Sequence, residues 1–248
     1  MDVVGWFSCG AASSAAIKLA SLEYPNMRVV NNPVAEEHAD NLRYMRDCEE
    51  WFGIKIETAR NFSFPDNSAE SVWRKRGYMN GVKGAPCTGF LKKESRRTWE
   101  DLNGFDGHHV FGFTIDEKHR HQRRVADGMK VLPILIDRGM TKQDCFDMVK
   151  DAGIKLPAVY EIGSRFGSGY PNANCIGCVK ATSPTYWNHV RETFPDVFEA
   201  RAKLSREIGC KLTRVKGKRL FLDELPPDAK GRSMKTMKIE CGITCGKD

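Results

Sequence analysis

A chain of 248 residues, 41% hydrophobic and 29% charged, carries enough apolar side chains for one sizeable core, which excludes a disordered or fibrous protein. No apolar run approaches the roughly 20 residues that span a bilayer as a helix, so no membrane is expected. The formal charge of +7 points to an anionic partner without separating a phosphorylated small molecule from a nucleic acid.

In chain order, residues 2–8 read as a short buried strand and 12–23 as a helix, joined by the tight link Ser8-Cys9-Gly10-Ala11. Residues 27–34 form a second strand, 39–52 an amphipathic helix closed by Gly53, and 54–59 a third strand. Helices are predicted over 69–76 and 91–102, around a glycine-rich stretch at 77–89. Strands follow at 108–114 and 131–136, separated by a charged loop at 116–124. Residues 141–152 are a helix with Thr141 as N-cap and Gly153 just beyond its end. The chain is irregular over 160–170 and helical over 183–208, with a break near Pro195. Alternating strands and helices predict an α/β fold, a mostly parallel twisted sheet flanked by helices, with ligands at the carboxyl ends of the strands. Residues 1–210 are expected to form this domain, and 211–248 an irregular, basic, mobile tail.

The start of residues 1–7 has no basic segment followed by an apolar one, so a cytoplasmic location is expected. In that reducing compartment the nine cysteines are thiols, metal ligands or catalytic groups before they are disulfides.

The first link carries chemistry. Backbone N–H groups at a helix N-terminus are unpaired and the helix dipole favours an anion there; Gly10 admits a ligand to the backbone, and Ser8, Ser13 and Ser14 can add hydroxyl donors. The same letters also suit a small-residue turn with a serine cap. Cys175-Ile176-Gly177-Cys178 places two thiolates at a spacing that chelates one metal or two corners of a cluster, and Cys87 lies in a second constrained loop, Gly84–Gly89. From the residues alone an iron–sulfur cluster, structural zinc, a redox pair and plain buried thiols stay open. Cys48 and Cys145 sit on apolar helix faces as core residues; Cys210 also reads as structural, and Cys9 is ambiguous. Basic groups recur at 74–76 with 92–97, at Arg120, Arg123 and Arg124, and at Lys216, Lys218 and Arg219. They suit phosphate or sulfate, an RNA or DNA backbone, or simply solvent.

Trp6-Phe7-Ser8-Cys9-Gly10-Ala11-Ala12-Ser13-Ser14 resembles the phosphate-binding loop of the phosphoadenylyl-sulfate (PAPS) reductase and ATP-pyrophosphatase superfamily, the adenine nucleotide alpha-hydrolase-like fold. ATP-cleaving members have an aspartate where this chain has Ala12, so the resemblance leans to a reductase. It extends to residues 37–43 and to Gly112–Glu117 with the arginines that follow. Iron–sulfur members have an adjacent cysteine pair and a later C-x-x-C; Cys87 matches the second of the pair, and Pro86 replaces the first. The resemblance implies a [4Fe–4S] cluster on Cys87, Cys175 and Cys178, with zinc the lesser alternative, and a fourth ligand from Cys241 or Cys245, or none. It further implies phosphate binding by Ser8, Gly10, Ser13 and Ser14 and charge neutralisation by Arg120, Arg123 and Arg124. Glu240-Cys241-Gly242 resembles the terminal motif whose cysteine attacks the substrate sulfur, although Thr244 replaces its histidine.

The function implied is a sulfonucleotide reductase acting on PAPS or adenylyl sulfate, with Cys241 as nucleophile and a thioredoxin-like thiol donor. Open iron, three cysteines and a basic surface also resemble ATP-dependent sulfurtransferases that thiolate tRNA or DNA. A zinc-stabilised nucleotide- or nucleic-acid-binding protein without catalysis is the third reading; a homo-oligomer is compatible with each.

Overall fold

The computed structural model describes residues 1–82, 84–237 and 239. In chain order its elements are β1 (Val3–Phe7), α1 (Ala11–Glu23), β2 (Arg28–Asn31), α2 (Asn41–Phe52), β3 (Ile56–Thr58) and α3 (Ala69–Arg76). A π-helical turn, Thr88–Glu94, precedes α4 (Ser95–Leu102), β4 (His108–Val110), α5 (Lys118–Ala126), β5 (Val131–Leu132) and α6 (Lys142–Asp151). Then come the short β6 (Gly163–Ser164) and β7 (Gly167–Ser168), α7 (Pro184–Thr193), α8 (Pro195–Ile208), β8 (Thr213–Val215) and β9 (Lys218–Leu220).

The chain divides into two compact units interleaved in sequence: Met1–Pro33, Ala39–Arg60 and Ser95–Pro157 form the first, and Val34–His38, Asn61–Glu94 and Ala158–Asp248 the second. No helix among the described residues is long and apolar enough to cross a membrane.

The first unit is built on an all-parallel five-stranded sheet in the order β3-β2-β1-β4-β5, flanked by helices as in Rossmann-like folds. β1 is central and all five of its residues are buried, the pattern of a parallel strand covered on both faces. A Cβ on its Gly5 would lie 2.8 Å from both Ile17 and Met27, so the glycine is what lets α1 settle on the strand. Ala11, Ala15, Ala16 and Ala20 are fully buried on α1 and keep that approach short. α2 ends where Gly53 adopts the left-handed conformation (φ 70°), and α6 opens with a reciprocal cap between Thr141 and Asp144.

The second unit gathers its three chain segments, with α3, α7 and α8 among them, around an apolar core that includes Trp73, Met79, Tyr186, Trp187, Leu222 and Met234. Glu36 heads α3: its carboxylate accepts from Ser68 Oγ (2.9 Å) and from the backbone N–H groups of Ala69 (2.8 Å) and Glu70 (3.0 Å). The buried Arg201 reaches Glu70 at 3.3 Å and Glu36 at 3.8 Å, and stacks 4.7 Å over the Trp73 ring.

Three expectations are corrected. Residues 118–126 are a helix rather than a loop, carried by residues with adequate helix propensity once Ile115–Glu117 provides a starting turn. The strand predicted over 131–136 stops at Leu132, because Pro133 cannot donate to the ladder. Residues 211–237 are not an irregular tail. Thr213, Leu222, Leu225, Met234 and Met237 are buried and β8 pairs with β9 as a hairpin. Ile239 too is buried.

Candidate functional site

The order β3-β2-β1-β4-β5 makes β1 and β4 the neighbours from which the sheet grows in opposite directions. The crevice at their carboxyl ends is the topological switch point, where ligands of open parallel sheets bind. Ser8–Gly10 leaves β1 there. Cys9 takes a left-handed conformation (φ 54°), uncommon for a residue with a Cβ, and is nearly buried. Asn31 at the end of β2 holds this turn, donating from Nδ2 to Phe7 O at 2.9 Å, and Cys9 Sγ lies 3.9 Å from Asn41 O.

Gly10 then returns to extended backbone and begins α1 without any side-chain cap; the first turn of the helix has no acidic residue. The positive end of a 13-residue helix is therefore left without a carboxylate of its own. Ser13 Oγ donates to Gly10 O (2.8 Å) and accepts from Ser8 N (3.1 Å) and Ser8 Oγ (3.0 Å), closing the loop on itself. Ser8 stays exposed, so its hydroxyl can turn to a ligand. Ser14 differs: it is fully buried, accepts from Tyr44 OH at 2.8 Å and donates to Gly10 O at 3.1 Å. Its hydroxyl belongs to the contact between α1 and α2. On the β4 side the backbone comes equally close, since a Cβ on Gly112 would stand 2.5 Å from Ser13 N.

The three arginines of α5 do not act as one set. Arg120 binds Glu117 and lies 5.0 Å over the Phe113 ring, next to the β4 exit. Arg123 is exposed, while Arg124 is buried and pairs with Asp127 at 3.1 Å. Lys142, which the sequence reading passed over, is half-buried at the start of α6; burial pushes its pKa down, and Glu117 partly opposes that. A lysine in the first turn of a helix runs against the dipole, and that was the available signal.

The cysteines Cys87, Cys175 and Cys178 all belong to the second unit and pack on one apolar cluster with Ile176, Tyr186 and Trp187. Cys178 is buried; Cys87 and Cys175 are half-buried. Cys87 leads into the π-helical turn Thr88–Glu94, a distortion that frequently accompanies functional sites. The Cys175–Cys178 loop is pinned at three points. Ile176 N donates to Glu36 O (2.9 Å), Cys178 N donates to Tyr186 OH (2.8 Å), and Ala181 N donates to Cys178 O (3.0 Å). Gly177 is left-handed (φ 68°), and a Cβ there would meet Val197 at 3.0 Å. Burial drives the Tyr186 phenol well above its ordinary pKa; the neighbouring Cys178, Tyr170 and Cys175 add to it, and the hydrogen bond from Cys178 N–H opposes it.

Cys241 and Cys245 fall outside the described residues. The chain two residues before Cys241 is held beside the C-x-x-C loop: Asn172 and Asn174, just ahead of Cys175, donate from Nδ2 to Ile239 O at 3.1 and 3.2 Å. Among the described residues no group of three or more His, Cys, Asp or Glu is arranged to hold a metal ion. Cys87, Cys175 and Cys178 pack on one apolar cluster from two loops, and thiolates are donors of the soft kind that iron–sulfur clusters and zinc take.

Burial pushes the thiols of Cys48 and Cys145 up to about 12, which makes them inert core residues. Cys210 donates to Asn80 O at 3.6 Å. Much of the first basic group is internally paired: Arg74 with Glu70 and Glu207, Lys92 with Glu37, and Arg96 with Glu100. Glu36 is the site residue the sequence reading missed. Its signal was a carboxylate just past a strand end, which only the distant partner Ser68 makes meaningful, while Ile176 N–H bonds its backbone carbonyl. No protein-family model matches the chain, and no curated protein matches it.

Proposed function

We propose that the chain is an adenine nucleotide alpha-hydrolase-like enzyme that reduces a sulfonucleotide, PAPS or adenylyl sulfate, to sulfite. The observation that carries this reading is the uncapped, carboxylate-free start of α1, with Ser8 exposed beside it, at the switch point of the parallel sheet. That place suits a phosphate, and the absence of an acid from the turn suits a nucleotide whose phosphate is held rather than hydrolysed with a metal.

In this reading the backbone N–H groups opening α1 and the Ser8 hydroxyl bind phosphate, Ser13 keeps the turn closed, and Arg120 with Arg123 offsets the remaining charge. The Cys241 thiol loses its proton to solvent and its sulfur attacks the sulfonate sulfur. An S–S bond forms, the S–O bond to the nucleotide phosphate breaks, and the nucleotide leaves with that electron pair. One thiolate of a dithiol donor then attacks Cys241 Sγ and expels sulfite, and the second donor thiol releases Cys241 as the donor becomes a disulfide. Cys87, Cys175 and Cys178 would hold the [4Fe–4S] cluster, which when bound supplies a polarisable charged centre tying their two loops together.

A second reading, ATP-dependent thiolation of tRNA or DNA, draws support from Ile239. A chain anchored beside the C-x-x-C loop suits Cys241 or Cys245 as a further ligand as well as it suits a travelling nucleophile. Anaerobic protein given PAPS or adenylyl sulfate with a dithiol donor should release sulfite and the free nucleotide in equal amounts, and Cys241→Ser should abolish release. No sulfite from either substrate, with sulfur instead entering RNA or DNA in the presence of ATP, would replace the first reading with the second.

A further inference from the structure

The β8–β9 hairpin of the second unit has no part in the chemistry above, and its electrostatics are unbalanced. Between Lys211 and Leu222 the chain has five cations and no acid. Register places Arg214 directly opposite Arg219. Like charges facing each other across a strand pair destabilise it, so this pairing costs the fold stability. The nearest acids along the chain, Asp223 and Glu224, are bound by Arg206 at 2.8 and 3.0 Å. Lys211 lies 5.4 Å over the Phe221 ring. Among the described residues, Arg214, Lys216, Lys218 and Arg219 are exposed and form no ion pair.

These charges surround a built concavity. A cavity of about 160 Å³ is lined by Thr182, Lys211, Leu212, Thr213, Arg214 and Arg219. Its wall is fixed by backbone: Arg214 N donates to Thr182 O at 3.0 Å, and Thr213 Oγ1 donates to the same oxygen at 3.1 Å. Two guanidinium forks and an ammonium around one small cavity match the oxygens of a phosphate, which arginine binds through paired N–H groups. The positive charge continues past the cavity. The turn Lys216-Gly217, both residues left-handed at φ 46° and 82°, places Lys216 and Lys218 at the hairpin tip. An occupant that uses the whole hairpin therefore carries repeated anions. No large apolar side chain is exposed between residues 211 and 220, which disfavours a membrane surface or an apolar protein partner.

We propose that the β8–β9 hairpin binds the phosphodiester backbone of a nucleic-acid strand, seating one phosphate in the cavity between Arg214 and Arg219 and the next along Lys216 and Lys218. The inference stands apart from sulfonucleotide reduction. Under the thiolation reading, the same hairpin holds the substrate strand.

The test is fluorescence anisotropy of full-length protein with a labelled single-stranded DNA of about 20 nucleotides, longer than the usual single-module site. Titrations run from low to physiological salt. Wild type should bind in the micromolar range typical of backbone contacts, more weakly as salt rises. Arg214→Ala with Arg219→Ala should weaken binding about tenfold and flatten the slope of log affinity against log salt by about 1.4, two contacts' worth on a single strand. Should that variant fail to fold, Lys216→Asn with Lys218→Gln serves, because asparagine keeps the left-handed turn and both positions are exposed. This pair should also weaken binding and flatten the slope. Sulfite release should be unchanged in both variants, so failure of the reductase reading and failure of this one are separable. Unaltered affinity in the folded variants would overturn the proposal. So would absence of binding at about 100 µM protein, or displacement of the strand by inorganic phosphate or a poly-glutamate peptide at equal anion concentration.

Discussion

Replacing Gly112 by alanine tests the close approach on which the proposed phosphate turn depends. The new Cβ would stand 2.5 Å from Ser13 N, 2.6 Å from the Ala12 carbonyl carbon and 2.8 Å from Ser13 Cα, all backbone atoms of the first turn of α1. None of these can rotate away as a side-chain tip would. Reaching ordinary contact requires the β4 exit and the helix start to part by roughly an ångström, an overpacking strain of about 1–3 kcal/mol. For a chain of this size that corresponds to a fall in Tm of about 2–12 °C. The damage should be focused, because the displaced atoms include Ser13 N at the start of α1, among the N–H groups proposed to bind phosphate. Urea unfolding would measure the stability, and calorimetric titration with PAPS or adenylyl sulfate the affinity. Gly53→Ala is the control. It meets no atom within 4 Å but sits at φ 70°, so it should cost about 1–2 kcal/mol through backbone conformation alone and leave nucleotide affinity intact. A Gly112→Ala protein as stable as wild type with unchanged affinity would refute the argument that this contact shapes the site.

Further outcomes follow from the same contacts. Tyr186→Phe removes the acceptor for Cys178 N–H in a buried place and should lower stability by about 1–3 kcal/mol, read from urea unfolding. Anaerobically purified protein should contain iron and acid-labile sulfide, with a brown absorbance that Cys175→Ser abolishes; stoichiometric zinc would assign the thiols to the other metal. Burial holds the His109 pKa at about 4 against an ordinary 6.5, Arg96, His108 and Lys130 helping to lower it and Asp106 opposing them. Its Nδ1 accepts from Trp6 Nε1 at 3.0 Å, which requires the neutral ring, while Glu100 lies 3.6 Å away. Below pH 6.5 the unfolded chain therefore takes up this proton first, so stability present above pH 6.5 should decline as pH falls towards 4, by about 3 kcal/mol in all. His109→Gln should flatten the decline over that window in denaturant titrations; an unchanged slope would show that other groups cause it.

What the sequence by itself determined is what local physics determines. Gly53 and the Thr141 cap marked helix ends that the structure keeps, and Ala69–Arg76 was legible from its pattern, because caps and 3.6-residue periodicity involve only neighbours along the chain. The alternation of strands and helices was enough for a mostly parallel sheet, and the apolar run Val3–Phe7 for a buried strand, while its central place came only with the strand order. Tertiary structure alone decided which like residues do unlike work. Ser8 and Ser14 are equivalent as letters, yet one is exposed and the other lies beneath Tyr44. Arg123 and Arg124 are adjacent, yet helical geometry turns one to solvent and the other inward. The same holds for Glu36, whose role depends on residues more than thirty positions away, and for residues 211–237, whose scattered apolar side chains show no period and are buried only by packing on the rest of the second unit. Their partners are set by long-range contacts, and a pattern of neighbours along the chain carries no record of those.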